Sequence, residues 1–183
     1  MSTDIEDTDE LTFPEDLEAF TAVYDRYFDQ IYAYVAGRLD SQTADDLVAD
    51  VFTEAFRHRE RFEPGRGNLR SWLFGIATNL VARHRRTEAR HYKALARAAP
   101  ELPTDSHEGR VLASVSAQRL QPGLAKALAG LTAKERDVVL LAALAELSHE
   151  EIAAALDIPY GTVGSRLNRA RGKLRAALEG TER

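Results

Sequence analysis

The strongest constraint on this chain is the spacing of its apolar residues, which recur at steps of three and four in segment after segment. No stretch of any length alternates with period two, so the expected fold is all-α. From Pro14 onward, Leu17, Phe20, Tyr24, Tyr27, Ile31, Tyr34 and Val35 mark one face of a first helix running to about Leu39. Pro14 suits its first turn, and Glu15 and Asp16 suit the positive end of its dipole. Asp40 and Ser41 offer a break and a cap, after which Leu47, Val48, Val51, Phe52, Ala55 and Phe56 form the stripe of a second helix. Residues 61–68 contain one proline and two glycines and read as a loop. A third helix follows, with Leu69, Trp72, Leu73, Ile76, Leu80 and Val81 inward and Arg70, Asn79, Arg83, Arg85 and Arg86 largely elsewhere.

At 183 residues the chain is long enough for two small cores, and its 44% hydrophobic content supports both. The sequence divides accordingly. Residues 1–13 are polar and acidic and read as a disordered tail; 14–97 form a three-helix domain; 98–121, punctuated by Pro100, Pro103 and Gly109, read as a flexible linker in which Val111–Leu120 form at most a short helix; 122–180 form a second helical domain. The absence of cysteine excludes a disulfide scaffold, thiolate metal sites and a cysteine nucleophile, and agrees with a reducing compartment. No apolar run approaches the roughly 20 residues of a membrane span, and the first residues are acidic where a signal peptide is basic. A cytoplasmic protein without membrane insertion is expected.

The formal net charge of −5 conceals an uneven distribution. Eight acids fall within the first twenty residues (Asp4, Glu6, Asp7, Asp9, Glu10, Glu15, Asp16 and Glu18), leaving 24 bases against 21 acids in the remainder. Residues 57–97 hold eleven bases against Glu60, Glu63 and Glu88, and residues 160–176 hold five bases and no acid. Two basic blocks in two segments are the footprint of a polyanionic partner.

The sharpest geometry lies in Ser148–Arg175. Thr132 with Glu135, and Ser148 with Glu151, have the spacing of capping boxes that start two successive helices. Ile152, Ala153 and Leu156 lie on the inner face of the helix begun at Ser148. A tight turn at Asp157-Ile158-Pro159 follows, and then a longer helix with Val163, Leu167, Ala170 and Leu174 inward. This is the layout of a helix-turn-helix. Its outer face presents Thr162, Ser165, Arg166, Asn168, Arg169, Arg171 and Lys173, short hydrogen-bonding groups mixed with cations that suit base edges and phosphates. A metal-binding reading of His149-Glu150-Glu151 fails, because Ala153 stands where the second histidine belongs. Neither a phosphate-cradling loop nor a nucleophile–base pair is present, so no enzyme, metal or cofactor is expected.

Asp45-Asp46-Leu47-Val48-Ala49-Asp50-Val51-Phe52, the glycine-containing basic loop and the run Leu69–Leu80 closely resemble region 2 of the bacterial extracytoplasmic-function sigma factors, and Leu124–Leu178 resembles their region 4. The resemblance implies a subunit that binds core RNA polymerase and directs initiation at chosen promoters. It implies that Asp46, Asp50 and Glu54, at steps of four on the second helix, face the β′ clamp helices, and that region 4 meets the β flap. It further implies that Phe62, Arg66, Asn68, Trp72, Asn79, Arg83 and Arg86 engage the melting −10 element, and that the outer face of the last helix reads the −35 duplex. Trp72 shares a stripe with Leu69, Leu73 and Ile76, so packing and base contact both stay open for it. A cognate anti-sigma factor is a plausible further partner. Arg83, Gly75 and Gly164 depart from the usual pattern, an acid or a longer side chain being common there. A stand-alone helix-turn-helix regulator is the alternative reading.

Overall fold

The computed structural model describes residues 17–97 and 122–179. The acidic tail, the helix start expected at Pro14, the linker and the short helix expected within it lie outside the described residues. The described residues form eight helices: α1 Leu17–Ala36, α2 Ser41–Arg57, α3 Leu69–Arg83, α4 Arg85–Leu95, α5 Pro122–Ala129, α6 Ala133–Ala143, α7 His149–Leu156 and α8 Tyr160–Glu179. Two single-turn 3₁₀ segments, Arg59–Arg61 and Pro64–Arg66, shape the loop between α2 and α3. None of these helices is long and apolar enough to cross a membrane.

Side-chain caps fix the boundaries. Asp40 accepts from the Thr43 N–H at 3.0 Å and Asn68 from the Ser71 N–H at 2.8 Å, each satisfying a donor that the first helical turn leaves open. Thr132 and Ser148 both complete the capping boxes that their spacing to Glu135 and Glu151 predicts. Asp157 ends α7 in the left-handed conformation, φ 50°, and so turns the chain sharply into α8. The fourth helix is the one element that the apolar pattern did not separate. His84, at φ −98° and ψ 21°, breaks the run after α3, and α4 follows with little apolar periodicity beyond Tyr92 and Leu95.

The first unit buries Ile31, Tyr34 and Val35 of α1 against Val48 and Val51 of α2 and against Leu73, Phe74 and Val81 of α3. Tyr24 is the exception on the first stripe: it is 38% exposed, with its ring 4.8 Å from that of Phe52 at the rim. In the second unit Leu128, Val138, Leu141, Ile152, Val163, Leu167 and Ala170 close around the helix-turn-helix. The two cores are continuous, because α3 packs on α7 and α4 packs on α5. Helix α3 is therefore buried on two sides, which explains why Ser71, Gly75 and Thr78, off the expected stripe, are buried as well.

Gly75 shows how close that packing is. A Cβ built there would lie 2.5 Å from the carbonyl oxygen of Ala155 in α7, nearer than such atoms approach. A glycine inside a helix costs about 1 kcal/mol relative to alanine. Here it admits the backbone of another helix.

A charged cluster spans the same junction. Glu88 on α4 and Arg38, just after α1, are each 1% exposed. Arg38 donates to Glu88 at 2.7 Å and to Asp137 of α6 at 2.6 Å, and also to the Tyr34 hydroxyl. Arg136 of α6 donates to the other Glu88 oxygen at 3.2 Å and to the carbonyls of Leu128 and Leu131 at 2.9 and 3.0 Å. Burial alone lowers the proton affinity of Arg38, but Tyr34, Glu88 and Asp137 outweigh it and hold the guanidinium charged. Removing one partner of such a cluster strands the others. Glu88→Ala is expected to cost about 3–5 kcal/mol in urea denaturation. Asp40→Ala, which removes only a helix cap, should cost about 1 kcal/mol. Equal midpoints for the two variants would deny the cluster its structural role.

Candidate nucleic-acid interface

A cleft of about 230 Å³ opens where the loop 61–68 meets α3. Phe62 and Trp72 line it as a tilted pair with ring centroids 5.6 Å apart, both half-buried, and Asn79 reaches it from the exposed edge of α3. Trp72 thus packs against the core and lines the cleft at once. Two flat apolar faces beside an amide donor and acceptor suit an unstacked base.

The opposite wall is made by the second unit. Ala154, Ala155 and Asp157 complete the cleft. Arg66 donates to the Asp157 carboxylate at 2.6 Å, and Asn68 donates to Glu151 at 2.9 Å while its amide oxygen caps α3. Arg70 donates to the Ala145 carbonyl and to Gln30, and lies 3.7 Å from Glu151. Burial works to raise the Glu151 carboxyl, but hydrogen bonds from Asn68 and Ser148, with Arg70 nearby, hold it below the usual carboxylate range. Of the loop residues expected at the −10 element, Arg66 and Asn68 therefore have their polar groups engaged with the chain itself. Glu151, Asp157 and Arg70 were not foreseen as parts of this site. Their contacts join residues more than seventy positions apart, and no local spacing signals such a pairing.

Arg83 and Arg86 are exposed and form no ion pair among the described residues. With Arg85 and Arg90, also exposed, they extend a cationic strip from the end of α3 along α4. In the first unit, Asp46 and Asp50 are exposed along α2. Glu54, one turn further, is half-buried and reaches His58 at 3.3 Å and Arg57 at 3.6 Å. Among the described residues, the acidic ridge thus has two carboxylates without an ion pair and one tied to local cations.

On α8, Ser165, Asn168, Arg169, Arg171 and Lys173 are exposed, and Thr162 and Arg166 are half-buried. Val163, Leu167 and Ala170 are buried on the opposite side, as the spacing predicts. Arg169 donates to the Ser165 carbonyl at 3.3 Å, lying back along its own helix. Lys173 donates at 2.8 Å to Glu135, the residue that closes the α6 capping box. That bond, with the Thr132 N–H, lowers the Glu135 carboxyl to about 2. Sequence spacing identifies the Glu135 cap; the bond from Lys173 appears only in the tertiary structure.

Two family models match the chain: Sigma-70 region 2 over residues 23–91 and Sigma-70 region 4 over residues 123–174. The chain is 32% identical over 165 residues to the ECF RNA polymerase sigma factor SigC of Mycobacterium tuberculosis, covering 89% of this chain and 83% of the relative. It is 30% identical over 168 residues to the ECF RNA polymerase sigma-E factor of Escherichia coli K12, covering 85% and 84%. Among solved structures it is similar to CnrH in complex with the cytosolic domain of CnrY, with TM-score 0.62, 25% identity and 91% of each chain covered. It is similar also to the sigma factor RpoE of Bartonella quintana in complex with the anti-sigma factor NepR, with TM-score 0.62, 26% identity, and 89% and 98% covered.

The Lys173–Glu135 bond has a measurable sign. Because the folded carboxyl titrates at about 2, below its ordinary value, its ionised form stabilises the fold above the ordinary carboxylate range. That contribution disappears as pH falls toward 2. A carboxyl titration by NMR is expected to place Glu135 near 2, with Lys173→Ala moving the midpoint up toward the ordinary range. An unmoved midpoint would mean that the bond does not form in solution.

Proposed function

The chain belongs to the extracytoplasmic-function RNA polymerase sigma factors, which direct promoter-specific initiation by core polymerase, and we propose how its residues divide that work. Residues 14–97 act as region 2, holding core polymerase and the −10 element. Residues 122–180 act as region 4, reading the −35 duplex, and 98–121 connect them. Sigma factors are not enzymes, and we assign this chain no turnover of its own and a cytoplasmic site of action.

The observation that carries this division is the cleft lined by Phe62, Trp72 and Asn79 in the unit opposite a helix-turn-helix. A protein without catalytic groups opens a duplex by binding the opened state better than the paired one. Aromatic faces in the cleft stack on a base that has left the helix, Asn79 hydrogen-bonds its edge, and Arg83 and Arg86 hold the strand by its phosphates. Asp46 and Asp50 offer exposed negative charge to the β′ clamp helices, with Glu54 at the edge of that contact, and the second unit meets the β flap. On α8, Arg169 is the base reader, supported by Thr162, Ser165, Arg166 and Asn168, while Arg171 and Lys173 serve as phosphate contacts. An anti-sigma factor is proposed as a further partner, since a similar solved chain is held by one.

Two measurements test the assignments. Asp46→Lys combined with Asp50→Lys should weaken core-polymerase binding at least tenfold while the circular dichroism spectrum stays unchanged, because both side chains face away from the buried stripe of α2. Undiminished pull-down by the folded variant would remove the ridge from the interface. For the recognition helix, Arg169→Ala should relax the preferred base at one or two −35 positions in a selection on randomised promoters, a loss of about 1–3 kcal/mol in discrimination. A uniform loss with an unchanged sequence logo would make Arg169 a phosphate contact instead.

A further inference from the structure

Helix α8 carries three glycines that its packing does not require. Gly75 has to be bare because the α7 backbone lies against it, but a Cβ built at Gly161, Gly164 or Gly172 would meet no atom within 4 Å. Each glycine weakens a helix relative to alanine, and α8 holds three of them in 20 residues. At about 3.6 residues per turn, Gly161, Ser165, Asn168 and Gly172 line up along the side of α8 opposite the buried Val163, Leu167 and Ala170. All four are exposed. This crest therefore has neither a cation nor a long side chain, while Arg169 stands on one of its flanks and Arg171 on the other.

The two polar side chains on the crest differ in what they are free to do. The Ser165 hydroxyl donates to the Thr162 carbonyl at 3.1 Å and lies along its own helix. Asn168 forms no side-chain hydrogen bond among the described residues, so its amide presents both a donor and an acceptor outward. Helical side chains lean toward the N-terminus, which carries that of Asn168 over the turn holding Gly164.

We propose that Asn168 reads an adenine, and that the bare crest around it lets α8 sit deep enough in the major groove for so short a side chain to reach a base edge. The inference rests on the reading of α8 as the −35 reader and adds the base that one of its residues selects. Adenine is the one base whose major-groove edge sets an acceptor, N7, beside a donor, the N6 amino group. The amide nitrogen of Asn168 donates to N7 while its Oδ1 accepts from N6. Guanine offers two acceptors there and suits an arginine instead, so Asn168 and Arg169 divide an adenine and a guanine between them. A long side chain at position 161, 164 or 172 would prop the helix off the groove floor before the Asn168 amide arrived. Arginines on the flanks have no such difficulty, because their length spans the gap.

The test is a selection of −35 sequences from a randomised promoter by the full chain with core polymerase. It is run for the parent, for Asn168→Ala, and for Gly164→Leu combined with Gly172→Leu. The parent should give a logo with an adenine column that Asn168→Ala flattens while the other columns stand. Replacing that adenine by 7-deazaadenine, which lacks the N7 acceptor, should weaken binding by the parent about tenfold and leave Asn168→Ala unmoved. The leucine variant should flatten the same column although its thermal midpoint is not lowered, since leucine forms helix better than glycine and has open space at both sites. A logo unchanged by Asn168→Ala, or a parent indifferent to 7-deazaadenine, overturns the adenine assignment. A leucine variant that keeps the full adenine column overturns the need for a bare crest. Absence of any −35 preference in the parent, with its −10 preference intact, overturns the reading of α8 itself and the inference with it.

Discussion

Glu88 accepts hydrogen bonds from Arg38 on one side and Arg136 on the other, and all three side chains are shut away from water. Buried charges persist only where each bonding direction is met. The end of α1, the first turn of α4 and the start of α6 must consequently converge on one point. With that convergence fixed, α7 comes down along α3 and the helix-turn-helix acquires its orientation toward the loop 61–68. The ring of Tyr34 beneath Arg38 and that of Tyr92 beneath Arg136 supply faces at 5.3 and 5.4 Å on which the guanidinium groups lie. The cluster is thus flanked by aromatic surface and by apolar core rather than by solvent.

The architecture was legible in the sequence wherever the signal was local. Capping boxes at Thr132 and Ser148 and the inward stripe of Val163, Leu167 and Ala170 depend on residues three and four apart, and such rules survive folding unchanged. The acid-free outer face of α8 is readable for the same reason. Helix α4 was not, because its one fully buried ring, Tyr92, and its buried acid, Glu88, form no stripe in themselves. A charged residue reads as exposed until its partner from another element is known. Glu88, counted only with the charge of the basic block, is such a residue, and its partners Arg38 and Arg136 come from other elements.

The candidate site divides in the same way. Phe62, Trp72 and Asn79 are placed by one loop and one helix, so motif and geometry agree on where they point. Arg66 and Asn68 are different: their partners come from α7, and what the loop is free to touch depends on where the second unit lies. Gly75 looked like a weak point in a helix when read alone. In the folded chain it is where the backbone of α7 comes against α3, and the sequence carries no sign of the neighbour that leaves no room for a side chain there.

The bond between Lys173 and Glu135 bears on how this protein responds to ionic strength. A cation that meets DNA from bulk solvent displaces condensed counterions and steepens the fall of affinity with salt. Lys173 already neutralises a carboxylate, so turning it to a phosphate exchanges one ion pair for another and leaves Glu135 exposed to the polyanion. Its contribution to the logarithmic salt slope is then offset by the anion it abandons. The count of cations on α8 overstates the electrostatic gain on binding. On the proposed assignment, the residues given to base edges hold a correspondingly larger share of the affinity, and recognition by this helix should retain more of its strength at high salt than its charge alone suggests.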